Sequence, residues 1–127
     1  MIDEFLAAQV CVFGIPMYNY GVPANFKAYI DQIVRVGRTF AVTANGYEGL
    51  VTDDKKILVI TTRGGSYKNS PLDFQEPYLK AIFELIGVTD VSFIHAENLA
   101  MGDEARQQSL SQARQVIQQF IATFAAS

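Results

Sequence analysis

The sequence has few of the residues from which disulfides and metal centres are built. Its 127 residues include one cysteine, Cys11, one histidine, His95, and no tryptophan. A single cysteine excludes an internal disulfide and a cysteine-cluster metal site, and a single histidine excludes a multi-histidine site. We therefore predict a functional site without a metal. Cys11 lies inside an apolar run, which favours an inert packing role over that of a nucleophile.

An excess of basic residues is also missing. Ten Lys and Arg against thirteen Asp and Glu give a formal net charge of −3. Nucleic acids and anionic membranes both favour a basic face, so neither is expected as a partner. No apolar run reaches the roughly 20 residues that cross a bilayer, and residues 1–4 lack the basic start of a signal peptide. We expect a cytoplasmic protein, which suits a lone thiol.

What the sequence does contain is typical of one folded domain. Half of its residues are apolar and 18% are charged, which excludes a disordered chain. Three short apolar runs, each continuous enough for a strand buried on both faces, predict the strands of a parallel sheet. They are Gln9–Gly14, Lys55–Thr62 and Val91–Ala96.

Helical periodicity separates these strands. We predict helices over Asn25–Val36 and Phe74–Ile86, one that starts at Asp103, and the last turns of another over Ile2–Ala8. In the helix predicted over Phe74–Ile86, one face carries the apolar residues Phe74, Tyr78, Ile82 and Leu85. Strands that alternate with helices predict an α/β fold with a doubly wound parallel sheet.

Two further segments lie outside this alternation. Asn45-Gly46, flanked by Thr39–Val42 and Tyr47–Val51, predicts a small β-hairpin beside the main sheet, because both turn residues tolerate positive φ. Asp53–Lys56 is interpreted as a solvated turn.

Ligands of doubly wound sheets lie beyond the carboxyl ends of the strands, where two loops have unusual compositions. The first, Pro16-Met17-Tyr18-Asn19-Tyr20 and onward to Pro23, sets aromatics and an amide between prolines. Its stiffness and its donor and acceptor groups suit a planar heterocycle. An ordinary proline turn with both tyrosines packed inward is the alternative.

The second loop, Thr61-Thr62-Arg63-Gly64-Gly65-Ser66, opens the glycine- and serine-bearing segment Arg63–Asp73 after the next strand. Adjacent glycines let a backbone approach a ligand and aim N–H groups at it, but a tight strand-to-loop turn explains them too. Neither loop matches the dinucleotide fingerprint or the Walker phosphate loop. His95, with Glu97 nearby, is interpreted as a hydrogen-bonded structural histidine, and we predict no catalytic residue.

Together, these loops resemble the FMN-dependent NADH-azoreductase / NADH:quinone oxidoreductase family. In that family a P-M-Y-N-aromatic loop follows the third strand of a flavodoxin-like fold, and an (S/T)-R-G-G loop follows the fourth. Four further segments also match, so the resemblance covers nearly the whole chain: Phe26–Asp31, Pro77–Leu79, Ile86–Asp90 and Ala96-Glu97.

The resemblance implies that residues 1–127 form a single, partial flavodoxin-like domain. Members of the family begin with a strand, a serine-rich phosphate-binding loop, a helix, a second strand and a second helix, and residues 2–8 match only the end of that second helix. The first two strands and the phosphate-binding loop are therefore missing. In the strand order 2-1-3-4-5, loss of the first strand leaves Gln9–Gly14 as an open edge.

The chemistry implied by the resemblance is two-electron transfer. NADH or NADPH reduces FMN by hydride transfer, and the flavin then reduces a quinone or azo compound. Met17 and Tyr18 would border the flavin ring, Asn19 would bond its pyrimidine edge, and Gly64 and Gly65 would bring N–H groups to its other edge. The full implied cofactor-binding set is Pro16, Met17, Tyr18, Asn19, Tyr20, Thr62, Arg63, Gly64 and Gly65.

The implied substrate pocket contains Tyr20, with Tyr47 and Tyr67 as neighbours. The resemblance also implies a homodimer in which both chains shape this pocket. Two other functions stay open: a non-catalytic remnant that oligomerises through its open strand edge, and a module that binds a planar aromatic without turnover.

Overall fold

The computed structural model describes residues 1–51 and 54–126, of which 124–126 are described by their backbone alone. The helices are α1 (Ile2–Ala7), α2 (Ala24–Ile33), α3 (Glu76–Leu85) and α4 (Asp103–Ala126). The strands are β1 (Val10–Pro16), β2 (Phe40–Thr43), β3 (Gly46–Gly49), β4 (Lys56–Thr62) and β5 (Asp90–Ala96). In the described part of the chain, no helix is both long and apolar enough to span a membrane.

The main sheet is parallel, with the strand order β1-β4-β5. Its register pairs Pro16 with Thr62, and Thr62 with Ala96. The carboxyl ends of the three strands therefore lie side by side, which confirms the predicted α/β alternation and brings the two candidate loops to one edge.

The two faces of the sheet have separate cores. On one face, Ile57 and Val59 of β4 pack with residues of α1, α2 and α3, such as Phe5, Ile30 and Phe83. On the other face, Leu58 of β4 and Ile94 of β5 pack with α4. All three of these β4 residues are buried, so the prediction of a strand covered on both faces is confirmed for β4.

For β1, that prediction is wrong. Val12 is 58% exposed, and Gly14 is exposed as well. Val12 pairs with Leu58 and so faces the side of α4, but α4 packs mainly on β5. Within the described residues no strand pairs with the outer side of β1, so the expected open edge is present and its apolar run is covered on one face only.

Two predicted helix boundaries shift. Helix α2 begins at Ala24 after Pro23, so Asn25 lies inside the first turn and does not cap it. Helix α3 begins at Glu76, because the carboxylate of Asp73 accepts hydrogen bonds from the N–H groups of Gln75 and Glu76. Phe74 consequently lies outside the helix and is exposed, and the most buried positions near α3 are Leu79, Phe83 and Ile86 rather than the predicted set.

The predicted hairpin is present with a different turn. Thr43 pairs with Gly46, so the connection is residues 44–45 and not Asn45-Gly46. Gly46 alone has the positive φ expected of both. The Thr43 hydroxyl donates to the Gly46 carbonyl at 2.8 Å and accepts from the Asn45 N–H at 3.2 Å. These local bonds set the register one residue earlier than the dipeptide suggests.

The predicted solvated turn is wrong for Lys55, and Asp53 lies outside the described residues. Lys55 is only 2% exposed. Its ammonium donates to the carbonyls of Phe5 and Ala8 at the end of α1 and lies 5.0 Å from the centre of the Phe5 ring. Carbonyls at a helix C-terminus attract a cation, so Lys55 joins α1 to the sheet.

The hairpin meets α3 at a point with no room for a side chain. A Cβ on Gly49 would lie 2.3–2.5 Å from the backbone of residues 86–87. We predict that Gly49→Ala lowers the free energy of unfolding by about 2 kcal/mol or more. Gly14→Ala is the matched control, because nothing lies within 4 Å of its Cβ position, and it should change stability by less than about 0.5 kcal/mol. Urea unfolding measures both, and equal midpoints would contradict the packing argument.

Candidate functional site

The two candidate loops are joined at the carboxyl edge of the sheet. The N–H of Met17 donates to the carbonyl of Thr62 at 2.8 Å, so the loops are bonded where they leave their strands. Further out, the rings of Tyr20 and Tyr67 meet edge to face, with their centres 5.7 Å apart. Because aromatic pairs favour this geometry, the two loops form one continuous surface.

The first loop is a tight turn with strained backbone. The Gly21 N–H donates to the Tyr18 carbonyl at 3.0 Å, and the two residues between them, Asn19 and Tyr20, have φ of 52° and 69°. Positive φ at both central positions is typical of a type I′ turn. Asn tolerates this region, but for Tyr it costs about 1–2 kcal/mol. Strain of this kind tends to accumulate at functional sites.

This turn directs both tyrosines outward. Tyr18 is 58% exposed and Tyr20 is 45% exposed. The alternative of an ordinary turn with both rings packed inward is therefore wrong. Exposed aromatic rings beside an exposed Asn19 make a surface suited to a flat ligand with polar edges.

The second loop presents free backbone donors. The carbonyls of Gly64 and Gly65 accept hydrogen bonds from the N–H groups of Ala100 (3.1 Å) and Asn98 (3.0 Å). Across residues 1–51 and 54–126, the N–H groups of these two glycines have no acceptor. Their carbonyls are therefore used inside the protein. Gly64 is exposed, so its N–H is available to a ligand, whereas Gly65 is buried.

The physical reason for the two glycines differs from the expected one. A Cβ on Gly65 would lie 3.2–3.3 Å from the ring of Tyr67, and one on Gly64 would lie 3.3 Å from the Cβ of Ala100. The missing side chains thus make room for the protein's own packing, and specifically for the ring that meets Tyr20. Neither glycine has positive φ.

Arg63 is buried, as Gly65 is, and its side chain is paired. Its side chain is fully inaccessible. The guanidinium donates to both oxygens of Asp73, at 2.9 and 3.2 Å, and to the Gln75 side chain at 3.2 Å. Burial raises the pKa of Asp73, but hydrogen bonds from Glu76 and Arg63 outweigh it and leave that pKa below its ordinary value. The Arg63 side chain is therefore not exposed at the surface that the two loops form.

His95 has the geometry of a structural histidine. Its Nδ1 lies 2.5 Å from the Thr61 hydroxyl, and its Nε2 lies 3.2 Å from Glu76 Oε1. Glu97, the neighbour suggested by the sequence, instead accepts from the backbone N–H groups of Tyr67 and Lys68. Burial lowers the pKa of His95, and the nearby charge of Arg63 lowers it further, against the opposing effect of Glu76.

Asp73, Glu76 and His95 also place three potential metal-ligand atoms within 4.8 Å of one another. The Asp73 carboxylate is already paired with Arg63 at 2.9 Å. A guanidinium in that position repels a second cation, so we assign no metal to this cluster.

The structure separates Tyr47 from the other two tyrosines. Tyr47 lies on β3, is 72% exposed and has its ring contact with Phe40. The end of β3 packs beside Gly87, after the C-terminus of α3, whereas α3 begins near the two loops. Within one chain, Tyr20 and Tyr67 therefore meet, and Tyr47 does not join them.

Sequence reasoning missed the buried partners of Arg63. Asp73, Gln75 and Glu97 lie 10, 12 and 34 residues further along the chain, and none belongs to a recognisable motif. One signal was available: an arginine directly after an apolar strand must find anionic partners, because a buried cation without them is very unfavourable.

Comparison with known proteins agrees with this arrangement. A profile of the family described as having a flavodoxin-like fold matches residues 2–121. The chain belongs to this flavodoxin-like family. The three-stranded parallel sheet is part of the expected doubly wound fold, and the open edge is where the family's strand order places a further strand.

Similar curated proteins carry consistent names. A Trichormus variabilis protein named FMN-dependent NADH:quinone oxidoreductase 1 is 66% identical over 127 residues, which is all of this chain and 61% of that protein. An Aromatoleum aromaticum protein named FMN-dependent NADH:quinone oxidoreductase is 50% identical over 122 residues, again 61% of its length. The chain thus spans about three fifths of these relatives.

A solved structure matches as well. An FMN-dependent NADH-azoreductase from Bacillus anthracis, in complex with FMN, superposes with a TM-score of 0.80 and 28% sequence identity. The match covers 94% of this chain and 59% of that protein. The flavodoxin-like prediction from the sequence is thereby confirmed.

The buried His95 makes stability depend on pH. The pKa of His95 is lowered in the folded state, so the unfolded chain binds the proton first as the pH falls through about 6.5. Stability should decrease there by at most about 1.4 kcal/mol per pH unit. Asp73, whose pKa is also lowered, causes a further loss of stability only near pH 4 and below.

Urea unfolding at pH 7, 6 and 5 measures this dependence. His95→Gln should be less stable than the original chain at pH 7 and should lack the loss between pH 6.5 and 5. An unchanged slope in the variant would show that another group is responsible.

Proposed function

We propose that this chain forms the flavin-ring site of an FMN-dependent oxidoreductase, which uses NADH or NADPH to reduce quinones or azo compounds. The observation that carries the proposal is the joining of the two loops at the carboxyl edge, with exposed tyrosines on one and free N–H donors on the other. The relatives' names supply the reaction, since similar proteins are named as FMN-dependent quinone oxidoreductases and azoreductases.

The residues present fit the ring of FMN. Met17 and Tyr18 would border the ring, and Asn19, with an amide that both donates and accepts, would bond its pyrimidine edge. The N–H groups of Gly64, which is exposed, and of Gly65, which is buried, have no acceptor within the described residues and would face another edge. Such donors stabilise negative charge that gathers on a reduced ring. Pro16 and Thr62 would set the positions of the two loops through their backbone.

Bound FMN would accept two electrons from the nicotinamide donor and pass them to the acceptor. The protein's own part is to bind and orient. The edge-to-face pair of Tyr20 and Tyr67 would form one wall of the acceptor pocket, where flat substrates stack. No side chain is needed as an acid, base or nucleophile in this scheme.

These residues offer fewer contacts to the phosphate of FMN than to its ring. Arg63, the arginine that follows β4, is buried and already paired with Asp73. A phosphate contact is a charge-assisted hydrogen bond worth about 1.5–3 kcal/mol. We therefore expect the chain to bind FMN mainly through the ring, and more weakly than a protein that also holds the phosphate.

We further propose a homodimer and a cytoplasmic location, which the lone thiol of Cys11 suits. The hairpin and its flanking residues carry four exposed apolar side chains, here called the hairpin patch: Val36, Val42, Tyr47 and Leu50, of which Val42 and Tyr47 pair across the two strands. Apolar clusters of this kind favour association. In a dimer that associates through this patch, Tyr47 of one copy would line the substrate pocket that Tyr20 and Tyr67 form in the other copy.

FMN titration of the purified chain tests the flavin proposal, followed by addition of NADH or NADPH without oxygen. We expect binding and then loss of the flavin's visible absorbance. Asn19→Gly should weaken FMN binding by about tenfold, the equivalent of one hydrogen bond, because glycine keeps the positive φ of 52° and removes only the amide.

Asn69→Gly is the matched control for that variant. Asn69 is also exposed with positive φ, 62°, and should leave FMN affinity unchanged. No binding by a folded chain up to about millimolar FMN would overturn the proposal and favour the non-catalytic remnant. Binding without bleaching would favour a module that holds flat aromatics without turnover.

Sedimentation velocity tests the dimer. We expect Val42→Glu, in the hairpin patch, to shift the chain toward monomer, because a carboxylate in an apolar interface is desolvated without a partner. Val12→Glu is the matched control, since Val12 is an equally exposed valine on the open edge of β1. Dissociation by Val12→Glu alone would instead place association at the strand edge.

A further inference from the structure

We propose that Arg63 is a positioning residue that fixes the two loops of the candidate site relative to each other without touching a ligand. The inference rests on the proposed function, because it concerns the loops assigned there to the flavin. It follows from the three side chains that surround the buried guanidinium: Asp73, Gln75 and Glu97.

Asp73 connects Arg63 to the start of α3. Arg63 donates to its two oxygens at 2.9 and 3.2 Å. Asp73 Oδ1 also accepts the N–H groups of Gln75 at 3.0 Å and Glu76 at 3.1 Å. A bidentate pair fixes orientation as well as distance, so the guanidinium is held at one position relative to the helix.

Gln75 connects Arg63 to the first loop. Its side-chain carbonyl accepts from Arg63 at 3.2 Å. Its side-chain amide donates to the carbonyls of Pro16, at 3.2 Å, and Ile15, at 3.4 Å. These carbonyls belong to the last residues of β1, directly before Met17, so the position of Gln75 determines where the first loop begins.

Glu97 connects Arg63 to Tyr67 and Lys68, which lie further along the same loop. One oxygen lies 3.6 Å from the guanidinium and accepts the N–H groups of Tyr67, at 2.5 Å, and Lys68, at 2.9 Å. The ring of Tyr67 then meets Tyr20 of the first loop. The connections therefore form a closed circuit, from the first loop through Gln75, Arg63 and Glu97 to Tyr67, whose ring returns to the first loop at Tyr20.

Stability alone does not account for a guanidinium in this position. Apolar residues of similar volume often replace a buried ion pair without loss of stability. The Nε atom of Arg63 is buried and has no hydrogen-bond partner within the described residues. What this arrangement supplies, and an apolar core would not, is a set of directional bonds to both loops at once.

Gln75→Glu tests the connection to the first loop. The carboxylate retains the acceptor for Arg63 and the volume of the side chain, but it loses the donor to Pro16 and Ile15. We expect FMN affinity to fall about tenfold. In the FMN-free chain, the NMR amide signals of Tyr67 and Lys68 should shift, although the hydrogen bonds of Gln75 are with β1, Arg63, Asp73 and Leu79.

Thr39→Val is the matched control for lost buried hydrogen bonding. Thr39 is fully buried, and its hydroxyl donates to the Ile33 carbonyl at 2.7 Å, away from both loops. This variant should lower the unfolding midpoint and leave the Tyr67 and Lys68 signals and FMN affinity unchanged. Equal effects of the two variants on those signals would overturn the inference, because a merely structural role would explain both.

A double-mutant cycle tests the role of Arg63 directly. Gln75→Glu and Glu97→Gln alter side chains that share Arg63 as a partner. Their combined effect on FMN affinity should differ by at least about threefold from the product of the single effects. In the Arg63→Lys background the effects should become multiplicative, because an ammonium cannot reproduce the planar fork. Multiplicative effects in the original chain would contradict the proposal.

Failure of the proposed function leaves this inference testable. If the folded chain binds no FMN, the flavin assignment fails and the amide signals decide the role of Arg63. Shifts of Tyr67 and Lys68 in Gln75→Glu would support coupled loops. Signal shifts confined to residues in contact with Gln75 would overturn the positioning role of Arg63.

Discussion

The parallel register of β1, β4 and β5 is the constraint on which the rest of the site depends. Backbone hydrogen bonds place Pro16 beside Thr62 and Thr62 beside Ala96. A shift of one residue would turn every side chain of a strand to the opposite face. With this register, two loops that begin at Pro16 and Thr62 leave the sheet at neighbouring points, and a hydrogen bond from the Met17 N–H to the Thr62 carbonyl joins them there.

Beneath that edge, charged side chains are paired with one another. The buried pair of Arg63 and Asp73 lies under the loops, and the His95 imidazole is bonded between Thr61 and Glu76. The exposed residues above include Tyr18, Tyr20 and Gly64. These ionised groups are therefore paired within the protein, and the exposed aromatic rings are the part of this edge that suits the flat ligand proposed above.

Strand β1 is the edge of the main sheet within the described residues, and one of its faces is uncovered. Val12 pairs with buried Leu58 and yet remains 58% exposed, because α4 packs mainly over β5. The chain covers 61% of the length of its Trichormus relative. An apolar strand with one free side is a place where another chain segment adds readily, so this edge is the alternative to the association proposed for the hairpin patch.

Sequence by itself determined the alternation of strands and helices and the two loops, since apolar runs, prolines and glycines act locally. It also determined the family, because P-M-Y-N-Y and T-R-G-G are contiguous strings. Only the tertiary structure decided which faces are covered and where charges go. Val12 is exposed, Lys55 is buried against α1, and Arg63 points inward, because each outcome depends on partners distant in sequence. Local patterns contain no information about such partners, so the buried circuit around Arg63 became visible only when the chain was folded.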